Sequence, residues 1–177
     1  MAEFLVEIVQ GDITKIPVEA IVNAANERML GGGGVDGAIH SAAGSRLEEA
    51  CQMVEEVSPG IRCPTGEARI TPAFDLPATH VIHTVGPIWR GGTNREDDLL
   101  ASAYRSSMET AQKNHCSSIS FPSISTGVFK FPFERACEIA LNVINEFENG
   151  GVIKNVKLVC YSFEHFEEYS KIKADLR

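Results

Sequence analysis

A chain of 177 residues with 44% hydrophobic and 23% charged side chains fits one soluble globular domain over 1–177 with a single sizeable core. Its 16 Lys and Arg against 24 Asp and Glu leave a formal charge of −8, which argues against duplex nucleic acid as the main partner, because phosphate binding of that kind rests on clustered Lys and Arg. No apolar run approaches a membrane span and the opening MAEFLVEIVQ alternates like a strand rather than a leader, so a cytoplasmic protein without a membrane partner is expected.

Leu5, Glu7 and Val9 alternate with Val6, Ile8 and Gln10 and predict a strand at about 3–10, broken by Gly11-Asp12. The apolar run VEAIVNAA reads as a buried strand ending near Asn23. After the glycines, DGAIHSAAGSRLEEACQMVEE predicts a helix in two pieces, interrupted at Gly44-Ser45 with Ser45 as a cap. Strands follow at Ala68–Pro72 and His80–Val85, joined by the turn-like FDLPAT. Leu99, Leu100, Tyr104, Met108 and Ala111 carry helical spacing over Asp97–Asn114. SISFPSI is the next strand, and Phe133–Phe147 an amphipathic helix with Ala136, Ala140, Val143, Ile144 and Phe147 on one stripe. NVKLVCYS is the last strand, and Phe166–Leu176 closes the chain as a helix.

Alternating strands and helices define an α/β three-layer architecture with a substantially parallel sheet. Ligands of such sheets sit beyond the carboxyl ends of the strands. Three polar or Gly-rich segments follow predicted strand ends: GDI, NAANERMLGGGGVD and SISTGVFKFP. Their positions let them converge on one crevice.

The four consecutive glycines of Gly31–Gly34 match neither a P-loop nor a dinucleotide fingerprint, since no Lys-Ser/Thr follows and the glycines are contiguous. They are equally compatible with a flexible surface loop, but they run directly into a helix whose free N–H groups and dipole can cradle an anion. Asp36, at that helix start, suits orienting a hydroxyl or a water; Asn26 offers both donor and acceptor, or is a turn asparagine. Ser125, Thr126 and Gly127 can form an anion nest or a plain strand-to-helix turn. Asp12 can accept from an exocyclic amine or merely close a turn, and Tyr161 and Phe163 can stack on a base or join the core.

His40 lies one helical turn beyond Asp36, and His83 reads as a structural strand residue. Cys51, Cys63, Cys116, Cys137 and Cys160 contain no CxxC pair and no zinc-finger spacing, so reduced, buried thiols and no metal are expected. No serine lies in a GxSxG elbow and Cys160 falls in an apolar strand, which speaks against a covalent nucleophile.

In order and spacing, VQGDIT, IVNAANERMLGGGGVDGAIH, CPTGEA, VIHTVGP and FPSISTGVFKFP resemble a macrodomain from about residue 6 to the final helix. GGGGVDGAIH and STGV resemble the MacroD-type branch, which includes bacterial O-acetyl-ADP-ribose deacetylases. The resemblance implies a three-layer α/β/α sandwich around a six-stranded mixed sheet, holding ADP-ribose in a cleft without cofactor or metal. On that resemblance Asp12 binds the adenine amine and Ile13 supplies a nearby backbone donor. Asn26 contacts the distal ribose; Gly33, Gly34 and Val35 line the diphosphate and that ribose, with Asp36 beside the ribose and its water. Ser125, Thr126, Gly127, Val128 and Phe129 form the second diphosphate loop, and Tyr161, or else Phe163, stacks on adenine. The family often has Tyr-Gly after STGV where this chain has Phe129-Lys130, so a Tyr hydroxyl is not essential here.

The implied reaction is hydrolysis of an ester on the distal ribose, with Asp36 and Asn26 as catalytic residues. Its substrates are O-acetyl-ADP-ribose and, as related esters, mono-ADP-ribosylated acidic side chains of proteins. A non-catalytic ADP-ribose reader, a regulatory module binding an unknown protein partner, and a phosphatase on ADP-ribose 1″-phosphate are the alternatives.

Overall fold

Six strands form one sheet in the order β1-β6-β5-β2-β4-β3 in the computed structural model, which describes residues 3–176. Met1 and Ala2 of the predicted opening segment, and Arg177 at the end of the 1–177 span, lie outside the described residues. The strands are β1 (Leu5–Gln10), β2 (Ala20–Ala24), β3 (Ala68–Pro72), β4 (His80–Thr84), β5 (Ser118–Phe121) and β6 (Asn155–Cys160). Five of them run parallel, while β3 pairs antiparallel with β4 at one edge. The helices are α1 (Gly34–Ala43), α2 (Ser45–Gln52), α3 (Glu96–Lys113), α4 (Phe133–Asn145) and α5 (Phe163–Asp175), and Ile13–Lys15 adds one 3-10 turn. This is the expected α/β/α sandwich with a mixed six-stranded sheet.

Strand β2 explains why the sheet is covered on both sides. Ala20 and Val22 belong to the core beneath α3, α4 and α5, whereas Ile21 belongs to the core beneath α1 and α2. Successive side chains point to opposite faces, so the uninterrupted apolar run AIV buries each residue completely. Ile39 and Leu47 fill the α1–α2 side, and Met108, Ala140 and Ile144 fill the other. Each fully buried Ile or Leu contributes about 1.5–3 kcal/mol.

Most elements end within a few residues of expectation, and three differences have a visible cause or consequence. Ser45 is the first residue of α2, not its cap; Gly44 holds the capping position at φ 87°, a left-handed value that glycine alone adopts freely. Helix α2 stops at Gln52 instead of running on to Glu56. Helix α5 starts at Phe163, three residues before the prediction, because Ser162 accepts a hydrogen bond from His165 N at 3.2 Å and so caps one free amide.

Chain order sets the ligand position. From β2 the chain runs through α1 and α2 to β3 at one edge, whereas from β5 it runs through α4 to β6 on the other side. Neighbouring parallel strands β2 and β5 thus send their outgoing loops to opposite sides, opening a crevice over their carboxyl ends.

Candidate functional site: a cleft over the strand ends

A cleft of about 890 Å³ occupies that crevice. The residues that follow β1 (Gly11, Asp12, Ile13), β2 (Asn26, Gly32–Asp36), β5 (Ser123, Ser125–Phe129) and β6 (Tyr161) all line it. The three converging segments read from the sequence are therefore together, joined by a fourth after β6. Among the described residues no Lys or Arg lines the cleft, and exposed Lys130 stays outside it.

Three of the four glycines have a local reason to be there, and the fourth borders open space. Gly31 and Gly34 take φ of 94° and 58°, where a side chain is strained. A methyl on Gly32 would lie 3.1 Å from Asp36 Oδ2 and 3.4 Å from Asn26 Nδ2. A methyl on Gly33 would meet no atom of the protein within 4 Å, because that position faces open cleft. Gly33 also caps α1 without a side-chain hydrogen bond. The first-turn amides of α1 thus keep their donor capacity and the positive end of the helix dipole for a ligand.

Asn26 is a turn residue as well as a cleft residue. Its Oδ1 accepts from Met29 N at 3.1 Å and its Nδ2 donates to Gly31 O at 3.1 Å. One amide hydrogen remains for the cleft.

The second loop offers main-chain donors more than hydroxyls. Thr126 Oγ1 donates to Ser123 O at 2.8 Å, and Ser125 Oγ is buried without a partner against Gly86. The amides of Gly127, Val128 and Phe129 make no protein hydrogen bond among the described residues. Phe131 N donates to Ser125 O, Trp89 N to Phe129 O and Lys130 N to Gly127 O, so the loop is tied down through its carbonyls while those three amides stay free. Val128 is 92% exposed at the rim.

At the far end Asp12 caps the 3-10 turn. Its Oδ1 accepts from Thr14 N at 3.0 Å and from Thr14 Oγ1 at 2.7 Å. The Thr14 hydroxyl, then the Thr14 amide, hold the Asp12 carboxyl below its ordinary pKa. The turn role and a charged acceptor at the cleft coexist, because the second oxygen is uncommitted among the described residues. Tyr161 lines this end and is 85% exposed, so it is not core. Phe163 is also exposed, but it packs toward Phe166 and does not line the cleft. His165 lines the cleft while stacked 4.1 Å from Phe133; apart from its closeness to Ser162, the sequence carries no signal for it.

The floor of the glycine end is polar and buried. Asp36 is 5% exposed. Its Oδ1 accepts from Asn23 Nδ2 at 2.7 Å, and His40 Nε2 lies 3.4 Å away, one helical turn on as predicted. Asn23 Nδ2 also donates to His83 Nδ1 at 3.2 Å, and His83 Nε2 meets Thr71 Oγ1 at 2.9 Å. Complete burial pushes the His83 pKa down to about 3, with His40 adding to the effect. His83 is therefore neutral at physiological pH.

The ligand atoms of His40, Cys51 and His83 lie within 4.8 Å of one another. Hydrogen bonds account for the cluster: Nδ1 of His83 is an acceptor and Nε2 a donor, which leaves that ring no lone pair for an ion. Cys160 is the one cysteine lining the cleft, and burial raises its thiol to about 11. It is protonated at neutral pH and a poor nucleophile.

A three-layer mixed sheet with an amide-rich cleft over its parallel strand ends is the architecture of a macrodomain. A family model described as Macro domain matches residues 22–140, and this chain belongs to that family. The O-acetyl-ADP-ribose deacetylase of Escherichia fergusonii is 49% identical over 168 residues, 94% of each chain. The Oceanobacillus iheyensis macrodomain solved with ADP is 46% identical at a TM-score of 0.92, covering 98% of this chain and 92% of that one. The Trypanosoma brucei macrodomain in complex with ADP-ribose is 40% identical at a TM-score of 0.81, covering 94% of this chain and 68% of that one.

Proposed function

We propose that this macrodomain binds ADP-ribose and hydrolyses an ester on its distal ribose, releasing acetate from O-acetyl-ADP-ribose and, as a related reaction, freeing ester-linked mono-ADP-ribose from acidic protein side chains. The observation that carries the proposal is Asp36: a buried carboxylate at the cleft floor, with Oδ1 held by Asn23 and with Oδ2 beside the glycine loop. The name of the Escherichia fergusonii relative and the nucleotide ligands of the two solved macrodomains support it.

In this reading the adenine amine meets Asp12, the amide of Ile13 donates nearby, and the ring of Tyr161 stacks on the base. The amides of Gly33, Gly34 and Val35 and of Gly127, Val128 and Phe129 embrace the diphosphate, with Ser125 and Thr126 completing the second loop. Asn26 and Phe129 border the distal ribose. Asp36 orients a water against the acyl carbon, assisted by a substrate phosphate. The water oxygen bonds to that carbon, the carbon–ribose oxygen bond breaks, and the ribose oxygen leaves with a proton. Placement of water and ester supplies the rate, with no covalent enzyme intermediate.

The test is product chromatography with O-acetyl-ADP-ribose beside calorimetry with ADP-ribose. Asp36→Ala is expected to lower turnover at least about tenfold, about 1.4 kcal/mol of transition-state stabilisation, while the variant still binds ADP-ribose. Unchanged turnover removes Asp36 from the mechanism. Wild-type binding without turnover makes the protein a reader of ADP-ribose instead.

A further inference from the structure

Beneath Asp36 the sheet carries a polar stripe that the reaction above does not use. Asn23 of β2 and His83 of β4 are direct partners across the parallel ladder, and Thr71 comes from the antiparallel neighbour β3. Asn23 and His83 are fully buried, and Thr71 is 5% exposed. They lie on the face covered by α1 and α2, where the alternation of β2 and β4 would otherwise place apolar residues such as Ile21 and Val81. Burying such groups is costly unless each bond has a use.

The hydrogen-bond directions are determined by the donors and acceptors present. A carboxylate only accepts, so Asn23 must turn its amide nitrogen, not its oxygen, to Asp36 Oδ1. The second amide hydrogen then points at His83 Nδ1, which must hold a lone pair. The ring proton therefore sits on Nε2 and is given to Thr71 Oγ1, with Cys51 Sγ 3.7 Å away. Asn23 spends both hydrogens in this way while its own Oδ1 stays buried with no partner. The arrangement is built around what Asn23 donates, at the expense of what it could accept.

We propose that Asn23 and His83, anchored on Thr71, are positioning residues that lock Asp36 by Oδ1 and so leave Oδ2 aimed at the reacting water. This rests on the ester-hydrolase reading. Oδ2 is the oxygen beside Gly32, and it makes no protein hydrogen bond among the described residues. Without the lock the carboxylate can rotate about its terminal torsion, which is broad and nearly two-fold, and the water loses its fixed acceptor. Misplacement of this kind lowers turnover and leaves ground-state binding nearly untouched.

Two variants of His83 separate positioning from packing. The amide of His83→Asn presents an oxygen near the Nδ1 position and can still accept from Asn23. The longer His83→Gln reaches the Nε2 position and can still serve Thr71, but it offers Asn23 no acceptor. With O-acetyl-ADP-ribose, His83→Gln is expected to lower kcat about tenfold or more with KM and ADP-ribose affinity within about twofold, while His83→Asn keeps kcat within about threefold. Nitrogen-15 spectra of the full chain are expected to show His83 as the neutral Nε2–H tautomer over about pH 5–8. If His83→Gln does not fold, Thr71→Val replaces it, with a kcat loss at unchanged ADP-ribose affinity as the expected result.

Equal kcat in wild type and His83→Gln, equal losses in both His83 variants, or an Nδ1–H or charged ring would overturn the relay and leave the hydrolase reading standing. Wild-type protein that binds ADP-ribose without cleaving the ester would instead overturn the hydrolase reading, and the relay's purpose with it.

Discussion

Replacing Gly37 by alanine sets two quantities against each other. Gly37 lies inside α1, where alanine is favoured over glycine by about 1 kcal/mol through backbone entropy. A methyl there would lie 2.6 Å from the carbonyl oxygen of Gly32 and 3.6 Å from its carbon. That is roughly 1 Å short of ordinary van der Waals separation, and the obstacle is backbone, not a side chain able to swing away. Overpacking of this kind costs about 1–3 kcal/mol, so the net change is a loss of about 1 kcal/mol, or a melting point about 2–4 °C lower. The larger consequence falls on the cleft. Gly32 must shift away from α1, and with it the loop backbone that borders Asp36 and Asn26. A displacement near 1 Å at a preorganised site costs up to about 100-fold in turnover, and kcat with O-acetyl-ADP-ribose beside a thermal melt reads both effects. A variant that melts higher than wild type and turns over O-acetyl-ADP-ribose unchanged would refute the reasoning, because it would mean that the glycine loop does not rest on the helix.

Two further expectations concern charge. Asp12→Ala removes the cap of the 3-10 turn at Thr14, costing about 1 kcal/mol, and weakens ADP-ribose binding about tenfold; Asp12→Asn keeps an oxygen for Thr14 but sets an amide against the adenine amine, so affinity falls while stability holds, and unchanged affinity by calorimetry would exclude the adenine role. His83 has a folded pKa of about 3 against about 6.5 unfolded, so between those values the unfolded chain binds the extra proton and stability falls as pH falls. Denaturant titrations of wild type are expected to lose up to about 1.4 kcal/mol per pH unit below about pH 6.5 from this group alone, a slope that His83→Asn removes; parallel slopes in the two proteins would refute it.

Local patterns carried much of the architecture. Alternation marked β1, the apolar run marked β2, and Gly44 divided α1 from α2, each through a preference that acts within a few residues. The glycine run, Asp36 and the loop after β5 were legible as one crevice because parallel strands send their carboxyl ends to the same side. Asn23 was not legible as anything but a strand end. Its meaning depends on His83, 60 residues away, and on a register that only the assembled ladder defines. Tyr161 and Phe163 show the same limit. Both are aromatic and adjacent to β6, yet the cap at Ser162 turns one into the first residue of a helix and leaves the other at the cleft.

A cleft lined by no Lys or Arg among the described residues, in a chain of charge −8, has a kinetic consequence. A dianionic ligand approaching it is repelled at long range and attracted only within the last few ångströms, where the amides are. Added salt slows capture at cation-built phosphate sites by screening an attraction; here it screens a repulsion, so encounter quickens as ionic strength rises. The same field turns away longer polyanions, whose many charges meet the acidic surface before any one phosphate reaches the amides.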